Sequence, residues 1–323
     1  MKTPRRILLI HFGQLGDAVM ALPAARALRA RFPRAQLVVL AARGPDAIFR
    51  LAGFDQGRNE VWPVDRVVWK RARWRVLYAI PALLFRLRLR RFDLSVDLHS
   101  YKETNWLAFL AGIPNRVAML RPTRSIPSLI NRQPPPDNPE GRLLDRYCQV
   151  LQPLGIQVSP ADRIPTLTPS AVPYPLSPNP SVLGLCPGAG HPSRRWPADR
   201  FAAIAREYQG RARVVVFAGP EEAASILDPL AVISGVEIAQ GLTIPELTAA
   251  LAACRVVVSN PTGPSHIAAA VGTRVLTLGE IPAFDPVPVP PRGALVPLRA
   301  HGLIASITLA EVLAALDDLW QLP

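Results

Sequence analysis

Hydrophobic residues recur along the chain as short unbroken runs, each followed by an alanine- and leucine-rich stretch with helical spacing. Residues 5–12 form the first run, and from Gly16 to Phe32 the side chains of Val19, Leu22, Ala25, Leu28 and Phe32 share one side of a helix, which Pro23 should kink or split. Residues 36–42 (QLVVLAA) read as a second strand, apolar on both faces as in a buried parallel sheet. A short strand is expected at 65–70, and a pair of basic, apolar helices over 73–91 broken at Pro81. A strand at 92–100 ends in polar residues, 106–113 is helical, 115–120 extended, and a helix over 141–155 stops at Pro153 and Gly155. Strands alternating with helices in this way predict an α/β fold around a parallel sheet.

Residues 152–180 break the rhythm. Prolines at 153, 160, 165, 169, 173, 175, 178 and 180 leave no room for regular elements, and the stretch reads as an interdomain linker. The alternation then restarts, with strands at 181–188, 212–219, 255–260 and 274–278 and helices at 198–209, 221–231, 244–254, 264–271 and 308–322, while 281–297 is proline-rich and irregular. The expected organisation is an N-terminal domain over 1–165, a linker over 166–180 and a C-terminal domain over 181–323.

Composition narrows the setting. No apolar run approaches the roughly 20 residues that span a bilayer, and His11, Gly13, Gln14 and Asp17 interrupt the first one, so it reads as a strand and not as a signal peptide; a cytoplasmic protein is expected. Cys148, Cys186 and Cys254 lie far apart without metal-ligand spacing, as structural thiols do in a reducing compartment. The net charge of +13 comes almost wholly from arginine, with lysine only at 2, 70 and 102. Such an excess calls for an anionic partner: nucleic acid, an acidic membrane surface or a phosphorylated substrate.

Three turns could carry chemistry. In HFGQLGD (11–17), glycines let the backbone approach a ligand at a helix N-terminus, and Asp17 stands either as a first-turn acid matched to the helix dipole or as a general base. The spacing Gly13-x-x-Gly16, and a second strand ending in Arg43 and not in an acid, argue against a nicotinamide-dinucleotide fingerprint. In CPGAGHPSRRWPADRF (186–201), a turn at Gly188 and Ser193 precedes Arg194 and Arg195, which form either a solvated pair or a clamp for a diphosphate. In SNPTGPSHIAAA (259–270), Thr262 or Ser265 can cap a helix, Gly263 opens its N-terminus to a phosphate, and His266 is either a packing histidine or a donor to a leaving phosphate.

Taken in order, these turns resemble glycosyltransferase family 9, the bacterial heptosyltransferases of the lipopolysaccharide inner core. Gly16-Asp17 with Leu22-Pro23-Ala24, Arg194-Arg195-Trp196-Pro197, and Thr262-Gly263 with His266 carry the likeness, which covers most of the chain. It implies two Rossmann-like domains facing a central cleft, the glycosyltransferase B type. The N-terminal domain would take the acceptor, with Asp17 as general base and Gly16, His99 and Lys102 on the acceptor side. The C-terminal domain would bind the nucleotide-sugar ADP-heptose through Gly188, Ser193, Arg194, Arg195, Glu222 (or its neighbour Glu221), Leu242, Asn260, Thr262, Gly263 and His266, with transfer by inversion. No resident cofactor or protein metal site is implied, and Mg²⁺ is left open as an aid to the donor. The acceptor would be an anionic lipid-linked saccharide at the inner face of the inner membrane, to which the Trp69, Trp74 and Tyr78 segment among arginines is suited; the same segment also reads as a helix pair covering the sheet with a solvated basic face.

The chain departs from the family where Asp usually precedes Thr-Gly: here that position is Pro261, with Asn260 before it. This keeps two further readings open, a catalytically impaired nucleotide-sugar-binding protein and a relative with another donor. A nucleic-acid-binding reading rests on charge alone, since no recognised module is present. The sequence is silent on oligomeric state.

Overall fold

The computed structural model describes residues 2–65, 73–169, 182–220, 222–280, 295–300 and 303–322. The chain divides into two compact units, Met1–Pro165 and Thr166–Pro323.

The first unit is a five-stranded sheet built from β1 (Arg6–His11), β2 (Gln36–Ala42), β3 (Glu60–Val64), β4 (Leu94–Asp97) and β5 (Asn115–Ala118), in the order β3-β2-β1-β4-β5 and parallel throughout. Its helices are α1 (Leu15–Arg31), α2 (Asp46–Leu51), α3 (Arg73–Arg90), α4 (Lys102–Leu110) and α5 (Leu143–Gln149). The alternation of strand side chains separates two cores. Leu8, Ile10, Val38 and Leu40 join Leu87 of α3 and Ala108 of α4 on one face. The intervening residues Ile7, Leu9 and His11 are equally buried on the other.

The second unit contains β6 (Val182–Cys186), β7 (Arg213–Ala218), β8 (Val236–Gln240), β9 (Val256–Ser259), β10 (Arg274–Glu280) and β11 (Leu295–Ala300), ordered β11-β10-β9-β6-β7-β8 and again all parallel. Its helices are α6 (Ala198–Tyr208), α7 (Ala224–Ala231), α8 (Ile244–Ala252), α9 (Gly263–Ala270) and α10 (Leu309–Gln321). Leu183, Leu185, Val256 and Val258 pack with Phe201 and Ile204 of α6 and Val312 and Leu316 of α10. Gly184 faces the other way, and a Cβ there would lie 3.0 Å from both the Cys254 Sγ and the Phe217 ring.

Several expectations need correction. Neither Pro23 nor Pro81 splits its helix, since α1 and α3 each run through as one element. A proline removes a single N–H, and around Pro23 the loss is offset by burial of the whole run from Ala18 to Ala25. The third strand is Glu60–Val64, before the expected 65–70, most of which lies outside the described residues. It holds Pro63 because it is an edge strand, where a missing N–H costs no ladder bond. β8 was also missed: it is short and at an edge, set between Gly235 and Gly241, both at positive φ. The region read as irregular over 281–297 contributes the start of β11, and 281–294 lies outside the described residues. The proline-rich stretch also carries two single 3₁₀ turns, Gln152–Leu154 and Ala161–Arg163. All three cysteines are buried free thiols, and burial pushes Cys148 and Cys186 up to about 12.

Candidate functional site

In each sheet the strand order reverses direction at one place, and open parallel sheets bind ligands beyond the carboxyl ends of the strands there. In the first unit that place lies between β1 and β4, and in the second between β6 and β9. Most of the sequence-derived candidates follow these four strands.

In the first unit, Gly13 follows β1, Asp17 lies in the first turn of α1, and His99 follows β4. Their closeness is read from Gly13 itself: a Cβ there would lie 2.6 Å from the Asp17 Cβ, 2.7 Å from its Oδ2 and 2.7 Å from the His99 Cε1. Gly13 is therefore a glycine because a carboxylate and an imidazole close over its Cα. Asp17 Oδ2 accepts the Gln14 N–H at 2.8 Å, so the carboxylate caps the helix it sits on and is held at the strand end by that bond. Gly16 is half-buried beside it, and Lys102 is exposed in the first turn of α4.

His99 is fixed from behind. The Tyr147 hydroxyl on α5 lies 3.1 Å from its Nδ1, and the rings of His11 and Tyr101 stand 5.3 Å away. The backbone at His99 and Ser100 is gathered by buried Asp97, whose Oδ1 accepts their N–H groups at 3.1 and 2.7 Å. The hydroxyl of Thr104 donates to Oδ2, and Asn105 donates to the same oxygen at 3.4 Å. Ser100 takes a positive φ of 49° to complete the turn. Burial raises the Asp97 carboxyl to about 6 against the pull of these donors and of Arg121. Burial also holds His11 neutral, down to about 3. Asp97, Tyr147 and Thr104 were missed in the sequence. The signal was there for Asp97, a carboxylate closing a short, fully buried strand.

In the second unit, the loop after β6 is tied to the loop after β9 by Asn260. Its Oδ1 accepts the Trp196 N–H at 3.0 Å, and its amide donates to the Pro187 carbonyl at 2.6 Å. Asn260 is fully buried, and its side chain holds the two loops together. Trp196 is buried too, with its indole N–H donating to the Ile307 carbonyl at 2.9 Å.

The two arginines differ. Arg195 gives Nε and Nη2 to the Ala189 carbonyl at 3.0 and 2.8 Å and stands 3.9 Å from Glu222. A Cβ on Gly188 would overlap the Glu222 carboxylate, so Gly188, Arg195 and Glu222 form one cluster. Arg194 is exposed on the single turn Pro192–Arg194 and has no ion pair among the described residues. Ser193 beside it bonds the His191 Nδ1 through its hydroxyl at 2.8 Å. Glu221 lies outside the described residues.

Thr262 is the N-cap of α9, and its N–H donates to the Ser265 hydroxyl at 3.3 Å. His266 is buried in the first turn, and burial lowers it to about 4, so at neutral pH it offers a hydrogen bond and no charge. Leu242 is half-buried on the loop after β8, at the far edge of the sheet. Pro261 is buried, 3.6 Å from the position of a Cβ on Gly279.

Solved structures share this architecture. A glycosyl transferase family 9 protein of Veillonella parvula superposes with a TM-score of 0.82 at 18% identity, covering 99% of this chain and 98% of that one. An Escherichia coli heptosyltransferase solved with ADP gives 0.78 at 17%, covering 97% and 99%. At these identities the likeness is one of fold. Lipopolysaccharide heptosyltransferase 2 of Escherichia coli K12 is 25% identical over 309 residues, covering 87% of this chain and 85% of that protein. The sequence profile of glycosyltransferase family 9 (heptosyltransferase) matches residues 80–280. That span is more than half of the chain and runs from within α3, ahead of β4 and β5, through the turn at Thr262 to the end of β10, so the chain belongs to glycosyltransferase family 9.

Proposed function

We propose that this glycosyltransferase moves a heptose from ADP-heptose to an anionic, lipid-linked inner-core saccharide of lipopolysaccharide, with inversion at the anomeric carbon. It would act at the cytoplasmic face of the inner membrane. The observation that carries the reading is the closure of Asp17 and His99 over Gly13 at the carboxyl ends of β1 and β4. Asp17 takes the proton of the acceptor hydroxyl as its oxygen attacks the anomeric carbon. The bond from that carbon to the diphosphate breaks on the opposite side, and ADP leaves with the electron pair. Arg194, the N-terminus of α9 and the His266 imidazole answer the charge that develops on the diphosphate.

Among the described residues no group of three or more His, Cys, Asp or Glu side chains is arranged to hold a metal ion, and Pro261 stands where the family usually has Asp. Arg194, the start of α9 and His266 would share the charge of the diphosphate, with Mg²⁺ open as an aid to the donor. Glu222 and the loop at Leu242 line the strand ends on the side of β7 and β8, where a ribose and base would lie.

The experiment is transfer measured with Asp17→Asn, beside calorimetric titration with ADP, ADP-heptose and UDP, each with and without Mg²⁺. Transfer is expected to fall by at least about 10²-fold with ADP binding retained. Unchanged transfer would remove Asp17 from the role of base. Binding of ADP-heptose without turnover on any core acceptor would favour an impaired binding protein, the reading that Pro261 motivates, and preference for UDP would reassign the donor.

A further inference from the structure

The large hydrophobic side chains that stand open to solvent are concentrated on two helices of the first unit. On α3, Tyr78 is 72% exposed, Phe85 65% and Leu89 64%. On α4, Trp106, Phe109 and Leu110 are each more than 40% exposed. Seven and eleven residues separate Tyr78 from Phe85 and Leu89, close to two and three helical turns, so the three form one line along the outer side of α3. The inner side is occupied by Leu87, with Leu83 and Leu84 against the same core as Ala108 and Leu107 of α4. Both helices thus cover one face of the sheet and turn a second apolar side outward. They are joined directly, since Arg88 Nε donates to the Leu110 carbonyl at 2.9 Å, and Trp106 meets Phe109 edge-on at 5.8 Å.

Cations flank this apolar line. Residues 78–91 contain four arginines, Arg86, Arg88, Arg90 and Arg91, and no acid, while Trp69 and the cations at 66–72 lie outside the described residues. Arg86 and Arg90 both approach Glu60, whose single charge balances one of them, and Arg86 also lies 3.5 Å over the Trp62 ring. Arg116 lies 5.3 Å over the ring of Phe109.

This combination discriminates between occupants. A second copy docked through the same face would set arginines against arginines, because a two-fold interface pairs a surface with itself. An acidic peptide would answer the charge and leave the aromatic line in water. A bilayer with anionic headgroups answers both, with phosphates against the guanidinium groups and the Trp, Tyr, Phe and Leu side chains at the acyl boundary. We propose that the outer face of α3 and α4 is a docking surface that lays the first unit on an anionic phospholipid bilayer. The choice of partner rests on the lipid-linked acceptor proposed above, whereas the location of the surface rests on exposure and charge alone.

The test is cosedimentation of the full chain with vesicles of phosphatidylglycerol and phosphatidylethanolamine, and with phosphatidylcholine vesicles, at low salt and at about 0.5 M salt. The variants are Phe85→Glu, Trp106→Glu and, as control, Val232→Glu, an exposed apolar residue of the second unit. Circular dichroism and thermal unfolding check that each is folded. The wild type and Val232→Glu should bind the anionic vesicles and not phosphatidylcholine, weakly at high salt. Phe85→Glu and Trp106→Glu should each lose at least about tenfold in partition. The proposal is overturned if the wild type ignores anionic vesicles, or if the two helix variants bind as well as the control. It also falls if sedimentation velocity finds a dimer that Phe85→Glu dissociates while vesicles are not bound. Transfer to a deacylated, water-soluble acceptor keeps the two readings apart. Transfer without vesicle binding sinks the docking surface alone, and vesicle binding without transfer sinks the transferase reading alone.

Discussion

Gly13→Ala isolates the geometry of the first site with one methyl group. Gly13 does not occupy the left-handed region, so alanine adds no backbone strain, and the effect is contact alone. Carbon atoms rest about 3.5–4.0 Å apart, and the new Cβ would lie 2.6–2.7 Å from Asp17 and His99, so these groups must withdraw by roughly 1 Å. The Asp17 Cβ is bonded to the backbone and cannot swing away by rotation, which passes the displacement to the first turn of α1 or to the turn holding His99. Overpacking of this kind costs about 1–3 kcal/mol, offset by the roughly 0.4–1 kcal/mol that Gly→Ala gains through the unfolded chain. A catalytic group misplaced by about 1 Å loses about 10²-fold in rate. The assay is turnover with ADP-heptose and a deacylated acceptor, beside ADP calorimetry and thermal unfolding. The expected result is a fall in turnover of about 10²-fold, ADP affinity unchanged, and a modest loss of stability. Turnover within about threefold of wild type, in a variant as stable as wild type, would refute the convergence of Asp17 and His99 as the seat of catalysis.

Three further outcomes follow from the same geometry. Asp97 holds its proton more tightly folded (about 6) than unfolded (3.8), so its contribution to stability is full below about pH 4 and is lost as pH rises through 6; Asp97→Asn should therefore gain about 3 kcal/mol relative to wild type between pH 4 and pH 7 in denaturant melts, and a pH-independent difference would contradict the buried site. Arg194→Ala should weaken ADP binding about tenfold at unchanged melting temperature, while Arg195→Ala should lower both, because it abandons the Ala189 carbonyl and Glu222; calorimetry and melting of the pair separate them, and equal behaviour would refute the distinction. Asn260→Ala leaves the Trp196 N–H and the Pro187 carbonyl without their partner, at a cost of about 1–3 kcal/mol in thermal unfolding; a neutral substitution would show that the two loops hold without it.

The elements legible in the sequence are those whose whole length is apolar or amphipathic. β1, β2, β6, β7 and β9 sit inside their sheets or are flanked on both faces, so their runs are continuous and could be read directly. β3 and β8 sit at edges, where one side of the ladder is unpaired and sequence constraints relax enough to admit Pro63 and Glu237. Site residues divide in a similar way. Asp17, Arg194 and His266 belong to turns with local spacing that the chain displays in one stretch. His99 and Asp97 share one turn, but Tyr147 joins them only when α5 is packed behind it, a contact 48 residues apart that no local pattern encodes. The opposite roles of Arg194 and Arg195 were hidden for a related reason, since adjacency in sequence says nothing about which guanidinium folds back onto its own loop.

The second unit uses its helix terminus sparingly, and this gives the arginine its weight. The first turn of a helix ordinarily offers several free N–H groups to an anion. At the start of α9, Pro261 and Pro264 have none, and the Thr262 N–H is given to Ser265, so Gly263 carries the N–H nearest the end of the helix. His266 in the same turn is held neutral by burial and adds no charge. The carboxylate nearest the loop after β6, Glu222, is already balanced by Arg195. What this leaves for the proposed diphosphate is the dipole of an eight-residue helix, together with Arg194, which is exposed and has no ion pair among the described residues. In the proposed reaction, Pro261 in place of the family's Asp would remove a negative charge from beside the leaving group and also an N–H, two changes that act in opposite directions on the diphosphate. The substitution would then shift the work of binding toward Arg194 without requiring that the site be dead.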